Sequence, residues 1–132
     1  MLNVNVLYPE CLPDSVQLLV LFGSRAKGNF HAYSDWDVGY IGPVVQAWTD
    51  LAIYGKVADA LGIPGDRLDL VNLKRCSPLL CYVIAREGQV IFERQPGIFT
   101  DFQRKAWKQY ADTTKFRYLQ RVYICSKLEE WR

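Results

Sequence analysis

The sequence predicts an α/β fold in which a mixed sheet is flanked by helices and followed by a C-terminal helical segment. Three observations predict it. Between about residues 16 and 93, short runs of β-forming residues alternate with stretches of helical periodicity, the order expected when strands and helices share one core. From about residue 97 to 130 the periodicity is helical alone. The chain has 132 residues, 50% of them hydrophobic, and no repeat, low-complexity run or linker divides it, so residues 1–132 read as one domain with a sizeable core.

The first element is a strand over residues 16–22, rich in Val, Leu and Phe and ending at Gly23. Ser24 then stands where a helix begins. A helix start leaves backbone N–H groups unpaired and carries positive dipole charge, so these amides and a Ser hydroxyl together suit phosphate oxygens. Gly23, lacking a Cβ, lets backbone approach such a group closely. Arg25 and Lys27 follow, and each has two readings: a solvated charge, or a phosphate contact, Arg through its planar fork and Lys as a point charge.

A second strand covers residues 36–41, with Asp35 and Asp37 at its mouth. Spaced i and i+2, the two carboxylates project from one face, roughly 6.6 Å apart by strand rise. Both reach one cation site. Hard divalent cations held by carboxylates stabilise the attacking and leaving oxygens of an in-line nucleotidyl displacement, which calls for a third acidic ligand. Asp69 fills that role: in the strand after Asp66, alternation puts Leu68, Leu70 and Asn72 on one face and Asp69, Val71 and Leu73 on the other. A lone carboxylate among apolar neighbours is costly to bury unless a cation compensates it. Asp66 reads as a turn residue. Taken singly, Ser24 is equally a helix cap and the Asp pair more often a solvated strand end. Their combination points to chemistry.

Gly23-Ser24-Arg25-Ala26-Lys27-Gly28, then Ser34-Asp35-Trp36-Asp37, then Leu68-Asp69-Leu70-Val71 resemble the minimal nucleotidyltransferase (MNT) group of the polymerase-β nucleotidyltransferase superfamily. The resemblance runs from about Val16 to Glu93 and is loose beyond. It implies a nucleotidyltransferase core, two Mg²⁺ ions and ATP as substrate. It assigns Asp35, Asp37 and Asp69 as catalytic and metal-holding residues, and Gly23, Ser24, Arg25 and Lys27 as nucleotide-binding residues. In size and motifs the chain further resembles the MNT antitoxins that pair with HEPN ribonuclease toxins and attach AMP to a toxin tyrosine. The implied partner is therefore a HEPN toxin, held in a hetero-oligomer. Two rivals stand beside this: adenylylation of a small hydroxyl compound such as an aminoglycoside, and neutralisation of the partner by binding without catalysis.

The other elements follow from punctuation and period. Val44, Ala47, Trp48, Leu51, Ala58 and Leu61 predict an amphipathic helix ending before Gly62 and Pro64. Ser77-Pro78 opens a helix in cap-then-proline order, running through Leu80, Ile84 and Ala85 to a Gly88 stop. Gln89 to Phe92 is a short strand. After Pro96-Gly97, Phe99, Phe102, Ala106, Tyr110, Phe116, Leu119 and Tyr123 predict one long helix with a candidate break at Thr113-Thr114. The aromatics of this segment, Trp107, Tyr110, Phe116, Tyr118, Tyr123 and Trp131, have two readings: core, favoured at any one position, or a docking surface for the partner.

Composition excludes several classes. A net charge of +2, with Lys and Arg interleaved among Asp and Glu, gives no basic stripe for duplex binding, so templated polymerisation and direct nucleic-acid binding are not expected. Cys11, Cys76, Cys81, Cys125 and the single His31 lack zinc-site spacing, and the apolar neighbours of the cysteines predict buried, reduced thiols. Residues 1–6 lack the pattern of a signal peptide and no stretch is apolar enough to span a membrane, so the expected location is the cytoplasm.

Overall fold

The computed structural model describes residues 12–28, 35–42 and 47–130, with backbone alone for 47–50. Its elements, in chain order, are β1 (Leu18–Phe22), α1 (Ser24–Lys27), β2 (Trp36–Ile41), α2 (Ala47–Leu61), β3 (Leu68–Asn72), α3 (Pro78–Glu87), β4 (Gln89–Glu93), α4 (Ile98–Asp112) and α5 (Thr114–Glu130). A short 3-10 turn, Gly65–Arg67, precedes β3 and contains Asp66, as a turn residue should. The expected His31, Ser34, Cys11, Val44 and Trp131 lie outside the described residues.

The four strands form one mixed sheet in the order β3-β2-β1-β4. β1 is antiparallel to both of its neighbours, whereas β2 and β3 run parallel. Every residue of β1 is buried, which is why it reads as an unbroken apolar run rather than an alternating one. Its side chains divide between two cores. Leu19 and Leu21 join Val38, Tyr40, Ile53 and Val57 on the α2 side. Leu18, Val20 and Phe22 join Leu73, Ile84, Ala85, Phe102 and Ala106 beneath α3 and α4. Each fully buried Leu, Val or Ile contributes about 1.5–3 kcal/mol of transfer free energy, so β1 is anchored from both sides.

α3 begins as its sequence requires. Ser77 accepts a 3.2 Å hydrogen bond from the Leu80 N–H at the cap, and Pro78 occupies the first turn, where no N–H is needed. Its end differs from a left-handed glycine stop: Gly88 has φ −70° and ψ 149°, and its N–H donates to the Ile84 carbonyl. Glycine is needed there for proximity, because a Cβ would lie 2.5 Å from both the Ile84 carbonyl oxygen and Val20 Cγ1.

Two expectations are corrected. Among the described side chains the buried stripe of α2 is Ile53, Val57 and Ala58, with Leu61 partly buried, and Leu51 is 73% exposed; those of the expected Ala47 and Trp48 lie outside the described residues. Ile53, Val57 and Leu61 are the i, i+4, i+8 set, and Leu51 stands about 200° around the helix from Ile53. Cysteine burial and reduction hold only in part. Cys76 and Cys81 form a disulfide across the Ser77-Pro78 turn, with Cα atoms 6.2 Å apart, and Cys81 is buried. The turn folds Cys76 back over the first turn of α3. Cys125 is an exposed free thiol on α5.

Two substitutions test this packing by urea denaturation. Gly88→Ala is expected to lose about 1–3 kcal/mol of stability, the cost of forcing a methyl group into a filled space. Leu51→Ser is expected to change stability by no more than about 0.5 kcal/mol, as for an ordinary exposed site.

Candidate active site

β1 delivers the chain to Gly23, and its last residue Phe22 pairs with Asp37 of β2. The parallel register of β2 and β3 sets Asp37 directly beside Asp69. Alternation puts Asp37 and Asp69 on the face that Phe22, Val71 and Leu73 share, towards α3 and α4. Asp35, exposed, comes one step before β2. Two segments distant in sequence thus bring three carboxylates to one end of the sheet, where a third segment places Gly23.

Electrostatics at this end centre on Asp37. It is partly buried, and burial raises its carboxyl above the ordinary value of 3.8, followed by repulsion from Asp69 and then from Asp35. Asp69, expected as a carboxylate enclosed by apolar neighbours, is instead exposed at the sheet end. The strain of burial falls on Asp37.

Gly23 has φ 77° and ψ −156°, a conformation side-chain-bearing residues avoid, and a Cβ there would overlap Asp37 Oδ2. The turn and the carboxylate are therefore in contact. Gly23, not Ser24, occupies the cap position of α1, and no side chain caps it, so Ser24 is the first helical residue. α1 itself is a single turn, closed by the Lys27 N–H donating to the Gly23 carbonyl at 3.2 Å.

The two cations of α1 are engaged by the protein. The Arg25 guanidinium lies 4.1 Å from the Trp36 ring centroid, and Lys27 Nζ pairs with Glu87 at 3.1 Å while half-exposed. Gln89 Nε2 donates to the Ala26 carbonyl at 2.9 Å. Together these tie the turn to the end of α3 and the start of β4. Trp36, Glu87 and Gln89 escaped the sequence reading. Trp36 had a signal, its place between the two aspartates; Glu87 and Gln89 had none, being some sixty residues from their contacts.

Oxygen-only carboxylate donors suit a hard cation such as Mg²⁺, and a repelling carboxylate cluster beside a glycine cradle is an arrangement that a cation relieves. Among the described residues no three acidic, His or Cys side chains close into a cation cage. A cavity of about 390 Å³ lined by Ile41, Leu73, Cys81 and Phe102 belongs to the opposite ends of β2 and β3, away from the carboxylates.

With this geometry the chain is similar to known proteins. The family model described as polymerase beta, nucleotidyltransferase, matches residues 11–97. A protein adenylyltransferase MntA from Aphanizomenon flos-aquae (strain 2012/KM1/D3) is 32% identical over 126 residues, covering 88% of this chain and 83% of that protein. A crystal structure of a toxin-antitoxin with AMP-PNP superimposes with a TM-score of 0.73 at 25% identity, covering 94% of this chain and 99% of that one. A tri-AMPylated Shewanella oneidensis HEPN toxin in complex with an MNT antitoxin gives 0.64 at 22% identity, over 90% of each chain, and shares the fold. By motif, fold and the extent of these matches, the chain belongs to the polymerase beta nucleotidyltransferase family.

Proposed function

We propose that this chain is an antitoxin that transfers AMP from ATP to a tyrosine hydroxyl of a HEPN ribonuclease toxin, neutralising it. The observation that carries this reading is the convergence of Asp37, Asp69 and Gly23 at one sheet end. The similarity to a protein adenylyltransferase supports it. The AMP-PNP in one similar complex supports ATP as the donor, and the toxin partners of both complexes support the acceptor. Among the described residues no helix is long and apolar enough to cross a membrane. The reading puts the chain in the cytoplasm, where a ribonuclease toxin meets its RNA.

In this mechanism Gly23 lets the β1–α1 backbone approach the triphosphate, and Ser24 with the first amides of α1 grips its terminal oxygens. Arg25, braced on Trp36, and Lys27, balanced by Glu87, supply positive charge beside them. Asp35 and Asp37 would hold one Mg²⁺, and the same pair with Asp69 a second. Bound there, Mg²⁺ neutralises the phosphates and favours in-line displacement. Asp69, being exposed, takes the proton of the incoming tyrosine hydroxyl. The hydroxyl oxygen then bonds the α-phosphorus, the bond to the β-phosphate bridge breaks, and pyrophosphate leaves. No covalent enzyme intermediate is required.

A binding-only reading has one observation in its favour, the apolar surface of α5, since a tight binder needs such a face. Intact-mass analysis separates the two. The toxin encoded beside this chain, incubated with it, ATP and Mg²⁺, is expected to gain one or more AMP units, and none with an Asp35→Ala, Asp37→Ala double variant. Neutralisation that survives in that double variant without any mass gain would establish occlusion instead.

Gly23→Ala combines a strained φ with overlap of Asp37, so AMP transfer is expected to fall by at least ~100-fold, the scale of losing a preorganised electrostatic contact. Asp37→Asn is expected to abolish transfer while raising the melting temperature of the Mg²⁺-free protein at neutral pH. The sign follows from the raised carboxyl: its stabilisation is present below 3.8 and lost as pH rises through the higher folded value. The amide removes that loss, so the variant's gain over the wild type is expected to appear at neutral pH and to vanish below 3.8.

A further inference from the structure

α5 is a helix without a buried face. None of its residues is buried, and seven large apolar side chains on it are 48–63% exposed. Phe116, Leu119 and Tyr123 form one stripe at i, i+3, i+7; Tyr118 and Val122 form a second, and Ile124 and Leu128 a third, both at i, i+4. At 100° per residue the three stripes stand about 120° apart, so exposed apolar side chains occur on every side of the helix, interleaved with polar ones. Surface apolar residues scattered singly are ordinary, whereas seven large ones on one 17-residue helix mark an interaction site.

The helix is also presented in a fixed way. Tyr110 of α4 stacks on Tyr82 of α3 with centroids 4.0 Å apart and planes 11° apart. Arg117 of α5 lies over the Tyr110 ring of that stack, its guanidinium 3.7 Å from the centroid and Nη1 donating to the Tyr110 carbonyl at 3.0 Å. Thr113 Oγ1 donates to the same carbonyl at 2.8 Å. The joint at Thr113 is thus locked to the core by a Tyr82, Tyr110, Arg117 layer.

We infer that α5 is the docking arm for the protein acceptor, seated in an apolar groove with an acidic rim. This rests on the reading that the acceptor is a protein. Two features of α5 fit that occupant. Apolar side chains on several sides of one helix suit a groove of another protein, which encloses more than one side at once. Of the cations between the stripes, Arg117 is held at the joint and Lys127 pairs with Glu130 at 3.3 Å, while Lys115 and Arg121 are exposed and fit an acidic rim.

The test uses the full chain, the toxin encoded beside it, and two paired variants, Leu119→Glu with Tyr123→Glu and Ile124→Glu with Leu128→Glu. All four positions are exposed, so circular dichroism and melting temperature are expected to match wild type. Each pair is expected to weaken toxin binding about 100-fold or more by calorimetry, the scale of losing central anchors, with Mg²⁺-ATP affinity unchanged. Binding within about threefold of wild type for either pair would overturn the arm. So would a wild-type chain that is dimeric alone and dispersed by one pair only, which would assign α5 to a second copy. Wild-type binding without AMP transfer would instead remove the transferase reading and leave the arm standing.

Discussion

Everything at the functional end of this molecule depends on one strand register. β2 and β3 are parallel, so Asp37 and Asp69 lie side by side with like charges, and the antiparallel β1 brings Gly23 against the same Asp37 carboxylate. Repulsion and partial burial make this arrangement unfavourable when Asp37 is ionised. It persists because it is over-determined by packing: Leu19, Leu21 and Val38 fix one face of the sheet, and Leu18, Val20 and Leu73 the other. A one-residue slip of β2 would carry Val38 and Tyr40 out of their core and turn Asp37 into it. The hydrophobic pattern that forbids the slip is what holds the carboxylates together. A fold can keep such a cluster only when the cost is smaller than the register energy opposing it, and a cation bound there removes much of that cost.

The β1–α1 turn shows the same logic with smaller forces. A four-residue helix has no stability of its own, and α1 buries no residue. Its position comes from the Lys27–Glu87 pair, the Gln89 to Ala26 hydrogen bond, and Arg25 resting on Trp36. The ion pair is partly solvated, so its energy is modest and its value lies in direction. Since Glu87 and Gln89 flank Gly88, the tight α3–β4 corner sets where they stand. A residue chosen for backbone proximity therefore controls a turn more than sixty residues away.

The fold was legible in the sequence wherever a local rule decided it. β2 was legible because its aspartates and β-formers bound it, and α3 because cap, proline and glycine punctuate it. The break at Thr113 was legible as a gap in apolar spacing. What was not legible was relational. The stripe of α2 was misread because Leu51 is apolar yet has no neighbour to meet, and periodicity cannot see the neighbour. Asp69 was read as enclosed because its sequence neighbours are apolar, but β3 is the last strand in the sheet order and leaves it open to solvent. The Cys76–Cys81 pairing depends on the turn geometry around Pro78, which spacing alone does not convey. The carboxylate trio could be named from motif, while its register with Gly23, and the brace from Trp36 and Glu87, required the strands to be in place.

α5 completes the physical argument because its chemistry conflicts with its surroundings. Isolated helices of about this length are marginal in water, and most helical stability in proteins comes from burying an apolar face. Here the face goes unburied, while the joint at its start is secured by stacked rings and an Arg hydrogen bond to a helix carbonyl. A chain that fixes the base of a helix and leaves its length apolar has divided the work of recognition. On this reading α5 supplies affinity, and specificity for one acceptor follows from which protein fits the arm rather than from the nucleotidyl-transfer chemistry itself.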